Sequence, residues 1–245
     1  SRIREVYIHM ITDGRDTAPK VALEDSKLIE AKIKEIGVGK IATIIGRFYA
    51  MDRDKHFERI EKAYKLWSSG QGDQYPDPES GIDANYRAGV DDEKLGPCLI
   101  DKNGLIKPGD GVVFFNFRSD RMRQTLEVFE DDNFSEFQRQ KIANLGLVSM
   151  TKYNDTQKAP VIFGPINMNN VVADAIETAG LNQTHIAETE KYAHVTYFFN
   201  GGEEKPHEHE EQILVPSPRV ESYDSVPEMS AFAVKDKVIE AINND

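Results

Sequence analysis

The sequence holds 245 residues, 39% hydrophobic and 29% charged, a balance that suits one or two globular domains with real cores. Its formal net charge of −12 excludes non-specific nucleic-acid binding, because affinity for a phosphate backbone needs a surplus of lysine and arginine. A single cysteine, Cys98, excludes an internal disulfide framework and suits a reducing cytosol, and no apolar stretch approaches the roughly 20 residues of a membrane span.

Taken in chain order, the first segment leads straight into a strand-like run over 6–11, with no signal-peptide pattern. There is no initiator methionine, and the chain stops soon after a helical segment, which predicts a piece of a longer protein. Helical spacing of Ala22, Ser26, Ile29, Ile33 and Ile36 predicts a helix closed by Gly37. Residues 40–45 read as a second strand. Phe57, Ile60, Tyr64 and Trp67 then share one face of a helix that closes at Ser68-Ser69-Gly70. Strand, loop and helix, repeated, form the pattern of a parallel sheet covered by helices. Residues 71–109 are rich in Gly, Pro and Asp and read as irregular, apart from a short helix over 82–88. A buried strand is expected over 112–115, a helix over 118–130 and a strand over 145–150. The stretch 159–170, with its prolines and asparagines, reads as a domain boundary. Beyond it a helix over 171–179, a strand over 184–187, a mixed segment through Phe199, a strand over 213–215 and a tail helix over 231–242 are expected; Val234, Val238 and Ala241 mark the tail helix. The expected fold class is α/β, a mostly parallel sheet with flanking helices.

Three strand-like runs end in arginine-bearing loops. These are Asp13-Gly14-Arg15-Asp16-Thr17, Gly46-Arg47 through Met51-Asp52-Arg53-Asp54, and Asn116-Phe117-Arg118-Ser119-Asp120-Arg121. Strand ends are where open α/β folds place ligands, and gathered guanidiniums hold a small anion such as a phosphate or a carboxylate. Such a cluster is locally electropositive even on an acidic protein. Gly14 allows a sharp turn, Arg15 offers a planar fork of donors, and Asp16 is an acceptor and a base held ionised by neighbouring guanidiniums. Taken alone, that motif is equally an ordinary loop ion pair. Arg118 and Arg121 lie three apart at a helix start and share a face, and Arg47 and Arg53 bracket the aromatic turn Phe48-Tyr49. Further on, Lys191 stands between acidic and aromatic residues, either as a point charge for a phosphate or as a salt-bridged lysine at a helix start.

Other signals are weaker. Gly37-Val38-Gly39-Lys40 resembles the end of a phosphate loop, but Lys34 stands where glycine is needed and Ile41 where serine or threonine is needed. No Gly-x-Ser-x-Gly elbow occurs. In His207-Glu208-His209-Glu210-Glu211, two histidines on one strand face would chelate a metal, although Glu203, Glu204, Lys205 and Pro206 favour a solvated loop. His9 and His194 read as core histidines, Cys98 as a small buried residue, and the acidic groups 91–93 and 130–132 as solvated turns.

The three arginine loops, together with Glu188-Thr189-Glu190-Lys191-Tyr192-Ala193-His194-Val195-Thr196 and Pro227-Glu228-Met229-Ser230-Ala231, resemble the cofactor-independent (2,3-bisphosphoglycerate-independent) phosphoglycerate mutases. The segments occur in the family's order and span essentially the whole chain. The resemblance implies a cytoplasmic, glycolytic enzyme that interconverts 3-phosphoglycerate and 2-phosphoglycerate through a phosphoserine, with no membrane or nucleic-acid partner and a monomeric state. It implies an alkaline-phosphatase-like domain with two divalent ions, typically manganese, and a second domain inserted into it. Residues 1–165 would be the inserted substrate-binding phosphotransferase domain, incomplete at its N-terminus, and 171–245 part of the alkaline-phosphatase-like domain. Carried over by position, Arg15, Arg47, Arg53, Arg118 and Arg121 would bind the substrate's carboxylate and phosphate. Asp16 would contact the glycerate hydroxyls and move a proton, and Lys191 would reach the phosphate near the metals. The nucleophilic serine and the metal ligands would lie outside this chain, which alone should not catalyse. The rival readings are a non-catalytic module that binds phosphorylated acids, and a metal-dependent phosphatase of the same superfamily.

Overall fold

The run Ile41-Ala42-Thr43-Ile44-Ile45, β-branched except at Ala42, is buried along its whole length, as expected of a strand covered on both faces. It forms strand β2 (Lys40–Gly46), which pairs in parallel with β1 (Tyr7–Thr12), from Tyr7 opposite Lys40 to Thr12 opposite Gly46. The computed structural model describes residues 3–164, 168, 170–220 and 222–244. Residues 165–167 and 169 of the expected boundary stretch therefore lie outside the described residues. The chain separates into two compact units, Ser1–Phe163 and Gly164–Asp245.

In the first unit, α1 (Ala22–Ile36) joins β1 to β2 and ends at Gly37, whose φ of 78° and N–H bond to the Ile33 carbonyl close it. Its N-cap residue, Val21, has no capping oxygen. Asp92 supplies one from 70 residues away, its Oδ2 accepting from the amides of Val21 (2.7 Å) and Ala22 (2.9 Å). The expectation of a solvated acidic turn over 91–93 is thus wrong for Asp92, which is fully buried and also receives the Tyr86 hydroxyl at 2.5 Å. The Thr12 hydroxyl donates to the Asp92 carbonyl at 2.6 Å, tying the end of β1 to the same residue.

After β2 come the single turn α2 (Arg47–Ala50) and α3 (Phe57–Ser69), whose Ile60, Ala63, Tyr64, Leu66 and Trp67 are buried. The segment expected to be irregular carries more structure than its composition suggests. It holds β3 (Asp73–Gln74), α4 (Pro78–Arg87) and β4 (Cys98–Leu99). Helix α4 starts earlier than expected because the Asp77 side chain accepts from the Ser80 amide and Pro78 occupies the first turn. The sheet order is β1-β2-β4-β3, with β4 antiparallel to β2 and parallel to β3. Cys98 is buried and burial pushes its thiol up to about 12, in keeping with a packing role. His9, in contact with Thr43 and the Trp67 ring, is pulled down to about 4 by burial.

The unit closes with β5 (Gly111–Phe114), α5 (Ser119–Glu130) and β6 (Gly146–Ser149), with β5 and β6 parallel. The core gathers Ile45, Ile60, Trp67, Phe114, Leu126, Phe129 and Tyr153. The expectation that 112–115 is a buried strand holds for only one face: Phe114 is buried, whereas Val113 and Phe115 are 55% and 77% exposed. Glu130 also departs from the solvated-turn reading, since its carboxylate accepts from the Ala159 amide at 3.1 Å.

The second unit contains α6 (Val172–Thr178), β7 (Gln183–Glu188), α7 (Thr189–Val195), β8 (Glu210–Val215) and α8 (Ala231–Asn244). Strands β7 and β8 are parallel along their full length, from Gln183 opposite Glu210 to Glu188 opposite Val215. Both units are mixed α/β with mostly parallel pairing among the described residues. No described helix is long and apolar enough to cross a membrane.

Candidate anion-binding site

The turn after β1 folds around a carboxylate. Asp13 Oδ1 accepts from the amides of Arg15 (2.9 Å) and Asp16 (2.8 Å), and Gly14 takes the left-handed conformation this turn needs, with φ of 68°. The turn after β2 starts at Gly46, where an added Cβ would lie 2.3 Å from the Glu93 carbonyl oxygen. A Cβ at Gly14 would lie 2.5 Å from the Glu93 amide nitrogen. One segment, Asp92 to Leu95, therefore packs against both loops. It also accepts from the amides of Gly46 (at the Leu95 carbonyl, 2.8 Å) and Phe48 (at the Glu93 carbonyl, 3.0 Å).

That packing aims Arg47 back at the first loop. Its guanidinium is 5% exposed and donates to Asp13 Oδ1 (2.9 Å) and Asp16 Oδ2 (2.7 Å). Arg118, the N-cap residue of α5 at the end of the third loop, reaches the same Asp16 oxygen with Nη1 at 3.9 Å. Its Nε donates to Asp120 Oδ1 at 2.8 Å. Asp120 Oδ2 in turn accepts from Arg53 Nη1 at 2.6 Å. Three strand ends thus meet through Asp13, Asp16 and Asp120.

The charges hold one another in their ionised forms. The Arg47 hydrogen bond is the main cause that keeps the exposed Asp16 carboxyl below the ordinary carboxylate range. Burial alone would raise the Asp13 carboxyl, but the Asp16 and Arg15 amides and the Arg47 guanidinium outweigh it and lower it. Burial likewise opposes ionisation of Asp120, and Arg118 with Arg53 reverses that. Burial would lower Arg47, but its bonds to Asp16 and Asp13 leave it above its ordinary value.

Of the residues expected to form a site, Arg47, Arg53, Arg118 and Asp16 converge. Arg15 lies in the same first turn, with its guanidinium 3.5 Å from Glu93. Arg121 is buried, and its Nη1 donates to the Met51 carbonyl at the end of α2 (3.3 Å). Lys191 lies in the second unit on α7 and is exposed. Asp13 and Asp120 stand inside the recognised loops but had no assigned part. Their signal was spacing: each is a carboxylate two residues from an arginine at a strand end, Asp13 from Arg15 and Asp120 from Arg118.

Two groups among the described residues put three metal-ligand atoms within 4.8 Å of one another: Asp52, Asp54 and His56, and Asp174, Glu177 and His207. Each has donors for one ion, and in the first group Arg59 lies 3.1 Å from Asp52. Neither fits the two-ion centre that the resemblance implies.

Fold and rim together define an α/β protein whose strand ends gather arginines and carboxylates. The chain belongs to the family described as BPG-independent PGAM N-terminus (iPGM_N), whose model matches residues 1–155. It is 46% identical over 250 residues to the 2,3-bisphosphoglycerate-independent phosphoglycerate mutase of Clostridium novyi (strain NT), covering 100% of this chain and 49% of that protein. The enzyme of the same description from Pseudomonas fluorescens (strain Pf0-1) is 44% identical over 241 residues, covering 98% and 47%. Among solved structures, a phosphoglycerate mutase of Leishmania mexicana at low cobalt concentration is similar at a TM-score of 0.89 and 27% identity, covering 98% of this chain and 47% of that one. The chain spans about half the length of the curated relatives it matches.

Proposed function

We propose that this chain supplies the part of a phosphoglycerate mutase that binds glycerate and phosphate, in an enzyme interconverting 3-phosphoglycerate and 2-phosphoglycerate through a phosphoserine. One observation carries the reading: guanidiniums from two different strand ends, Arg47 and Arg118, meet at one exposed carboxylate, Asp16, at 2.7 and 3.9 Å. A phosphoglycerate brings a carboxylate and a phosphate, about three negative charges near neutral pH, and these are the groups guanidiniums hold with paired hydrogen bonds.

In this reading Arg15, Arg47, Arg53 and Arg118 hold the anionic ends of the substrate, and Asp120 aims Arg53 and Arg118 before the ligand arrives. Arg121 contributes to the same cluster and braces the Met51 turn. Asp16 accepts hydrogen bonds from the glycerate hydroxyls. While Arg47 and Arg118 rest on it, Asp16 is a weak base. A bound carboxylate or phosphate competes for those guanidiniums, and their departure raises the Asp16 pKa toward that of a proton acceptor. Lys191 serves as a point charge for the phosphoryl end. Glycerate must stay bound during the exchange, and excluding water keeps the enzyme from becoming a phosphatase.

The same reading carries a cytoplasmic, monomeric enzyme of glycolysis, with two divalent ions, typically manganese, held by residues outside this chain; no step described for these residues runs through them. The test is an assay of the full-length enzyme. With 3-phosphoglycerate and manganese, 2-phosphoglycerate should be the product. Free phosphate as the main product would instead indicate a phosphatase, and binding without turnover a non-catalytic module.

A further inference from the structure

The histidine-rich run of the second unit does not do what its alternation suggests. His209 has φ of 64°, is half exposed and has its Nε2 3.9 Å from Glu208, so it does not share a strand face with His207. His207 faces helix α6 instead. Its Nδ1 lies 2.7 Å from Glu177 Oε2 and 3.6 Å from Asp174 Oδ1. Asp174 and Glu177, three apart, project from the same side of α6. A four-coordinate ion with bonds of about 2.05 Å needs donor atoms about 3.3 Å apart, and the two observed spacings bracket that value.

The donors are set in place by other groups. Asp174 Oδ2 accepts from the Val171 amide at 2.9 Å, which leaves Oδ1 for the imidazole side. The backbone amide of His207 donates to Glu210 Oε2 at 2.8 Å. Glu210 is itself gripped by Asn200 (2.8 and 3.0 Å) and Gln212 (2.6 Å). Support of this kind orients a metal ligand and fixes the loop that carries it.

Charge separates this cluster from the other one. In the first unit, Asp52 has an arginine at 3.1 Å, and its oxygens also receive Gln124 and the amides of Asp54 and His56. That group is neutralised and filled. Among the described residues, Asp174 and Glu177 have no lysine or arginine partner, and the His207 imidazole is the neighbour they share. Both carboxylates are 37% exposed and open the cluster to solvent, while His207 is 11% exposed.

We propose that Asp174, Glu177 and His207 form a binding site for a first-row divalent transition ion of the zinc type, with water completing its coordination. One imidazole nitrogen and two carboxylate oxygens are a donor set such ions take, and the ion replaces the proton that Nδ1 otherwise shares with the carboxylates. Bound there, it cross-links α6 to the loop entering β8. The site is independent of the mutase reading, and all three donors belong to the second unit.

The test is a titration of the 245-residue chain with zinc chloride, followed through its six histidine imidazoles by NMR. The site predicts saturable shifts of the His207 signals at one equivalent. It predicts affinity about tenfold weaker or worse in Glu177→Gln, a half-exposed substitution on a helix that keeps the fold, and no change in His209→Ala. His207 signals that stay in place at zinc excess would overturn it. So would equal zinc affinity in Glu177→Gln and the wild type, or a loss in His209→Ala as large as in His207→Ala, which would assign the ion to a loop chelate.

Discussion

Asp120 is 4% exposed and holds two guanidiniums, one of them on a side chain that is itself 9% exposed. Removing a carboxylate from such a pair leaves buried positive charge, so Asp120→Ala should cost about 3 kcal/mol in urea unfolding. The pH dependence has a definite sign. The folded-state pKa values of Asp13, Asp16 and Asp120 lie below the ordinary 3.8, so their contribution is complete above that value and is lost as pH falls through the lower folded-state values. Acid unfolding of Asp120→Asn should therefore be less steep than that of the wild type below about pH 4. In the full-length enzyme, Arg118→Ala or Arg121→Ala should lower turnover at least tenfold, about 1.4 kcal/mol. Unchanged kinetics in both would remove these residues from the site. Arginines were legible at this scale because each follows an apolar run, where charge has to lie at a rim. Asp13 and Asp120 were legible only as acids two residues from an arginine, and that spacing looks the same in sequence whether the acid is solvated or buried.

The helices α1 and α3 could be placed from their 3.6-residue spacing and terminal glycines, features local to each segment. The segment between α3 and β5 could not. Strands of two residues have no period, and Asp92 earns its place by capping a helix 70 residues upstream. The apolar run over 111–115 misled for a different reason: hydrophobicity does not say how many faces of a strand are covered, and the core lies on the side of Phe114 alone. Packing of the 92–95 segment against both arginine loops makes a prediction at this scale. Gly46 has an ordinary φ of −70°, so any penalty for a side chain there comes from contact with Glu93 and Leu95. Gly46→Ala should destabilise the chain by about 2 kcal/mol and weaken anion binding along with it, read by denaturation and titration together. An alanine tolerated without loss would mean that the two loops are not held by that segment.

Across the whole molecule, a formal charge of −12 coexists with a rim where three arginines from two loops, Arg47, Arg53 and Arg118, surround two buried or half-buried acids and one exposed one. Family membership was legible because several short segments occur together in order, a joint signal that no single motif carries. The convergence of those segments was not, because it depends on close backbone contacts at Gly14 and Gly46 that composition does not encode. The function proposed for this rim requires that it take a small phosphorylated acid. Isothermal titration of 3-phosphoglycerate into the wild-type chain and into Arg47→Ala tests that most directly. Saturable binding that weakens with added salt, and that falls at least tenfold in a variant with an unchanged circular dichroism spectrum, is the predicted result. Equal affinity in the two proteins, or no binding to the folded wild type, would contradict it.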